Sequence, residues 1–131
     1  MDDITRKWVE RAKYDLDTAD AMFSGKRYLY VAFMCQQALE KMMKAIIISQ
    51  NGEVLRTHNL VRLAELSGVN SVIGQSNIEF LSNLTPFAVE SRYGDYRCKL
   101  SEIINKRTAF DYLEKTKTVF KWLKKRIESQ K

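Results

Sequence analysis

The chain has few of the residues that break helices, form disulfides or bind metals. Five glycines and one proline in 131 residues are too few for the many tight turns of a β-sandwich or barrel. One histidine and two distant cysteines, Cys35 and Cys98, are too few for zinc coordination, and their surroundings in the sequence suggest no disulfide. We therefore expect helices, free thiols, no metal site and no cofactor.

The length and the apolar content of the chain predict one folded domain over residues 1–131. An apolar fraction of 45% with 11% aromatic residues lies far from the composition of disordered chains. The N-terminus lacks the basic start and apolar stretch of a secretory signal, and charged residues interrupt the longest apolar run before it could span a membrane. We expect a cytoplasmic protein without membrane association.

Apolar residues recur every three or four positions, which predicts amphipathic helices. The first helix starts near Ile4 and ends at Ser24-Gly25, and the central one, about 27–49, is apolar nearly all round in its first half. A short third helix begins near Leu60. Because most connections are short, the expected fold is an all-α up-down bundle of four main helices plus one short helix.

The second half of the chain gives two further signals for helix ends. Ser76 and Glu79 have the spacing of a capping box, which predicts the start of the fourth helix, and Pro86 should bend that helix near Thr85. The final helix, about 105–128, is predicted from an apolar stripe formed by Phe110, Leu113, Phe120, Leu123 and Ile127.

The central helix carries polar groups inside an otherwise apolar cylinder. Gln36, Glu40 and Lys44 share one face by their spacing of four, and Gln37 and Lys41 lie beside them. One interpretation is a surface ion pair between Glu40 and Lys44 with exposed glutamines. The other is a polar face that lines a ligand groove or a subunit contact.

Basic residues are concentrated near the C-terminus. Residues 1–90 hold 10 Lys/Arg and 11 Asp/Glu, whereas residues 91–131 hold 12 and 5, so the two parts carry −1 and +7. Within the second part, Arg92 and Arg97 could bind phosphate while Tyr93 and Tyr96 stack on bases. Alternatively, the tyrosines pack on the bundle and the basic residues form a solvated face.

Several segments, in order along the chain, resemble the prokaryotic HEPN domain. They are Trp8, Ala12, Asp15-Leu16 and Ala19; Tyr28 to Phe33; Gln36-Gln37-Ala38-Leu39-Glu40-Lys41 with Lys44-Ala45; Thr57-His58-Asn59-Leu60 with Leu63; and Ser91-Arg92-Tyr93. The resemblance implies a helical bundle that forms a homodimer. It also implies kinship with metal-independent RNases, with toxins, and with nucleotide-binding companions of minimal nucleotidyltransferases.

The catalytic relatives share an Arg-x(4–6)-His motif, which this chain lacks. His58 is its only histidine, and Arg56 precedes it by just two residues. Arg92 is followed at the required spacings by Arg97, Cys98 and Lys99, and none of these is a general base near neutral pH. We therefore expect no RNase activity of the usual kind, and we expect His58 to have a structural role beside a helix cap formed by Thr57 or Asn59.

The resemblance implies a non-catalytic module that dimerises and binds a nucleotide, RNA or a minimal nucleotidyltransferase partner, as in toxin–antitoxin systems. The candidate ligand-binding residues are Gln37, Glu40, Lys41, Lys44, Arg92, Tyr93, Tyr96 and Arg97. Two alternatives remain open at this point. One is an RNase toxin with a degenerate site that uses Arg92, Tyr96 and His58, and the other is a pure protein-interaction scaffold.

Overall fold

A computed structural model describes residues 1–54, 56–88 and 104–129. Its helices are α1 (Asp3–Ser24), α2 (Tyr28–Ser49), α3 (Leu60–Ser67), α4 (Gln75–Leu84) and α5 (Lys106–Ser129), and a 3₁₀ turn covers Thr85–Ala88. No strand occurs in these described ranges. The predicted all-α fold is confirmed.

Helix α2 lies at the centre and packs against α1, α3 and α5. Its second half is buried on almost every side, from Ala38 to Ile47, apart from the partly exposed Lys41. A helix that is apolar nearly all round has no surface to present to water, so its neighbours must enclose it. The amphipathic helices α1 and α5 do this with one apolar stripe each.

Local sequence signals define most helix ends. The Asp2 carboxylate accepts a hydrogen bond from the Thr5 amide at 2.7 Å and caps α1, which ends at Gly25 as predicted. Asn51, at φ +60°, follows the end of α2, and Gly68, at φ +79°, ends α3 in the left-handed conformation that glycine adopts without a Cβ clash.

The start of α4 differs from the prediction. The helix begins at Gln75, after Gly74 at φ +93°, and no side chain caps it. Because Ser76 already lies inside the first turn, its hydroxyl is not in the position from which a capping box forms with Glu79. The effect of Pro86 is as expected, since the α-helix ends at Leu84 and a 3₁₀ turn begins at Thr85.

Two residues that the apolar period assigned to buried stripes, one on α1 and one on α5, are exposed instead. Ile4 is 62% exposed and Phe110 is 51% exposed, whereas their neighbours Thr5 and Ala109 are buried. A shift of one residue rotates a side chain by about 100° around a helix, so neighbouring positions of an amphipathic helix can differ widely in exposure. Among the described helices, none is long and apolar enough to cross a membrane.

Candidate functional site

The predicted polar face of α2 is buried inside the protein. Glu40 and Lys44 form the predicted ion pair, with Lys44 Nζ 2.9 Å from Glu40 Oε2. Their side chains are only 7% and 9% exposed, so the pair does not lie at the surface as the first interpretation required. Gln36 is fully buried and donates to Glu40 Oε1 from Nε2 at 3.1 Å.

His58 completes this cluster from the connector that precedes α3. Its Nδ1 lies 2.8 Å from Glu40 Oε1, and its backbone oxygen accepts a hydrogen bond from Gln36 Nε2 at 3.0 Å. Asn59 is the N-cap of α3, because its side chain accepts from the Arg62 amide at 3.1 Å. The expected cap beside His58 is therefore confirmed, and the contact between His58 and Glu40 was not predicted.

Burial and three hydrogen-bond donors determine the charge state of Glu40. Burial opposes ionisation, but hydrogen bonds from Lys44, His58 and Gln36 favour the carboxylate and keep the pKa of Glu40 below its usual value. Both carboxylate oxygens therefore have donors within the chain. A ligand could reach Glu40 only by displacing one of these partners.

Gln37 and Lys41, the other two predicted ligand-binding residues of α2, have internal partners as well. Lys41 forms an ion pair with Asp15 of α1, which is 9% exposed, while the Lys41 side chain is 26% exposed. Gln37 donates from Nε2 to the side-chain oxygen of Gln36 at 2.8 Å and to the Ala88 carbonyl at 3.5 Å. Both residues are partly exposed, so they border the buried cluster.

The remaining predicted site residues lie outside the described ranges. These are Arg92, Tyr93, Tyr96 and Arg97. Their part in a ligand site therefore stays a prediction from the sequence. Cys98, predicted as a free thiol, also lies outside the described ranges. In the described part of the chain, no group of three His, Cys, Asp or Glu side chains could hold a metal ion.

The contact with Glu40 holds one edge of the His58 imidazole in place. Its side chain is 58% exposed even though the Glu40 side chain that contacts Nδ1 is buried. When Nδ1 carries the proton that Glu40 accepts, Nε2 is free to accept a proton or a hydrogen bond from outside. The imidazole is thus anchored on one edge and accessible to solvent elsewhere.

Comparison with protein families identifies this arrangement of helices. Residues 5–127 match the sequence profile of the HEPN domain. The chain belongs to the HEPN domain family. This match confirms the resemblance that the ordered sequence segments indicated. No curated protein sequence matches the chain significantly.

Two solved structures share this HEPN fold. The protein TT1696 from Thermus thermophilus is 19% identical, with a TM-score of 0.78 over 92% of this chain and 96% of that one. ST0689, described as an archaeal HEPN homologue, is 21% identical, with a TM-score of 0.71 over 94% and 97% of the two chains. At these identities, the likeness establishes the fold alone.

Proposed function

We propose that this chain is a non-catalytic HEPN module that forms a homodimer and binds a nucleotide, RNA or a minimal nucleotidyltransferase partner, as part of a toxin–antitoxin pair. The observation that best supports a non-catalytic role is the position of the only histidine, which a contact with Glu40 fixes. His58 contacts Glu40 through Nδ1, and no arginine precedes it with four to six residues between them. The residue pair on which catalytic relatives depend is therefore missing from this sequence.

Charge supports a ligand or partner that carries phosphates or carboxylates. The segment 91–131 has a net charge of +7, and Lys121, Lys124 and Lys125 of α5 are exposed without an ion pair to any described residue. Arginine and lysine side chains bind phosphate oxygens directly. Arg92 and Arg97, with Tyr93 and Tyr96, are the residues that we propose for nucleotide contact.

The exposed apolar residues of α1 support dimerisation. Ile4 is 62% exposed and Tyr14 is 73% exposed, and their spacing places them within about 80° of each other around the helix. Exposed apolar surface marks protein–protein contacts when it forms a contiguous patch, which we propose for this side of α1. Glu40 and Lys44 are buried, so substituting them would disturb the fold rather than a subunit contact. Tyr14→Glu changes an exposed residue and is therefore our probe of the dimer contact.

Two measurements test this proposal. Calorimetric titration with ATP, GTP and a short single-stranded RNA should detect binding that weakens in Arg92→Ala and persists in Lys13→Ala, which removes an exposed, paired cation. Sedimentation should give a dimer for the wild type and a monomer for Tyr14→Glu. A monomeric wild type that binds neither these ligands nor a minimal nucleotidyltransferase would overturn the proposal.

The exposed imidazole of His58 favours one second candidate, an RNase with a degenerate site. In that candidate, Glu40 orients His58 as a general base, and Arg92 stabilises the phosphate charge. Purified protein should then cleave RNA without metal, and cleavage should disappear in both His58→Ala and Arg92→Ala. The non-catalytic proposal predicts intact RNA with every variant.

A further inference from the structure

A cleft lies where the end of α1 meets the start of α5. Phe23, Lys106, Arg107 and Phe110 line it, and its volume is about 490 Å³. The cleft is open to solvent, and its exposed lining is apolar. We call these four residues the aromatic–cation cleft.

The two phenylalanines of the cleft belong to a row of three rings that Tyr28 completes. The Phe23 ring lies 5.8 Å from the Tyr28 ring and 5.8 Å from the Phe110 ring, measured between centroids. Phe110 ends the row and is 51% exposed, although the other apolar residues of α5 closest to it, Ala109 and Leu113, are buried. Part of the Phe110 ring is therefore available to another flat ring.

The basic side of the cleft is formed by two residues that line it with their apolar stems. Lys106 and Arg107 are exposed, and neither forms an ion pair with a described carboxylate. Other lysines of the same helix do have partners, since Lys115 lies 3.1 Å from Asp111 and Lys117 lies 2.9 Å from Asp20. Two cations without an ion-pair partner among the described residues thus stand beside an exposed aromatic ring.

We propose that the aromatic–cation cleft binds one unpaired nucleobase together with its phosphate. The base stacks on Phe110, and Lys106 and Arg107 bind the phosphate oxygens. This inference rests on the proposed function and assigns its nucleotide or RNA ligand to described residues. Stacking on an aromatic ring and pairing of phosphate with cations are the two interactions by which proteins hold single-stranded nucleic acid without reading its sequence.

The combination of groups favours a nucleotide over an acidic peptide. A peptide rich in carboxylates would be attracted by Lys106 and Arg107 but would have no ring to cover Phe110. A nucleotide supplies both a flat aromatic ring and a phosphate a few ångströms away. Free nucleotide and single-stranded RNA share this chemistry, so the two sources are separate arms of the test.

The experiment titrates the full chain with ATP in one arm and with a uridine hexanucleotide in the other. Phe110→Ala should weaken binding about tenfold, as expected when base stacking is lost, whereas Phe110→Trp should preserve it. The double variant Lys106→Ala/Arg107→Ala should also weaken binding and should reduce its dependence on salt concentration. The aromatic proton resonances of Phe23 and Phe110 should shift when ligand is added to the wild type.

A matched control separates the cleft from general surface effects. Lys7→Ala/Arg56→Ala removes one lysine and one arginine that are exposed and do not line the cleft, so it should not change affinity as much. Thermal unfolding of each variant shows whether it is folded. Ring shifts in the wild type test the site without any substitution.

The outcomes distinguish failure of the cleft from failure of the proposed function. If Arg92→Ala abolishes binding while the cleft variants bind normally and the rings do not shift, the cleft is wrong and the proposed function stands. If the wild type binds neither probe, the cleft is wrong and the ligand part of the proposed function fails with it. If an oligoglutamate peptide binds as tightly as RNA and ignores Phe110→Ala, the site recognises charge alone and the inference is overturned.

Discussion

The imidazole Nδ1 of His58 lies 2.8 Å from the carboxylate of Glu40, across 18 positions of sequence. The same carboxylate also contacts Lys44, and Gln36 bridges Glu40 to the His58 backbone. A buried charge with this many partners holds the start of α3 against the middle of α2. It should therefore control both stability and its dependence on pH.

Replacing Glu40 with Gln should destabilise the fold by about 3 kcal/mol, because it leaves the buried Lys44 ammonium without a counter-charge. Urea unfolding monitored by circular dichroism measures this loss. The matched control is Asp17→Asn, which breaks an exposed pair with Lys13 and should cost less than about 0.5 kcal/mol. Equal losses in the two variants would show that the Glu40–Lys44 pair is not buried in solution.

The contribution of Glu40 to the free energy of unfolding should disappear in acid. Burial opposes its ionisation, but Lys44, His58 and Gln36 together lower its pKa below the ordinary 4.5. A lowered folded-state pKa means that the stabilisation is complete above the unfolded value and is lost as the pH falls through the folded value. The difference in unfolding free energy between the wild type and Glu40→Gln should be constant above that range and shrink below it. A difference that grows on acidification would contradict this assignment.

Cys35 should not react with thiol reagents while the protein is folded. Its side chain is fully buried, and burial raises the pKa of the thiol to about 12, so almost no thiolate exists near neutral pH. In a Cys98→Ser variant, a chromogenic disulfide reagent at about pH 8 should give no signal until denaturant is added. Rapid labelling of the folded variant would mean that Cys35 is accessible.

Asn59→Ala should destabilise the protein by about 1 kcal/mol, because the first turn of α3 loses the side chain that accepts from the Arg62 amide. Asn70→Ala provides the control, since Asn70 is exposed and its side chain caps no described helix, and it should change stability by less than about 0.5 kcal/mol. Thermal melting of both variants checks the difference. If Asn59→Ala melted like the wild type, the cap would contribute nothing.

Much of the fold was predictable because it depends on neighbouring residues. The stripes of α1 and α5, the end of α1 at Gly25, the cap at Asn59 and the break at Pro86 are all local effects of backbone and side-chain chemistry. One prediction was wrong because two neighbouring residues fitted the apolar period equally well. Phe110 and Ala109 are both apolar, so periodicity could not decide which of the two faces the core.

The sequence by itself determined the helices and showed that a polar face interrupts the central one, because the helical period follows from residues three and four positions apart. Only the tertiary structure decided that this face is buried. Its partners are Asp15, which pairs with Lys41, and His58, which contacts Glu40, and both lie on other segments of the chain. Spacing along one helix carries no information about which distant residue will pack against it, so the burial of Glu40 could not be predicted from its own neighbours.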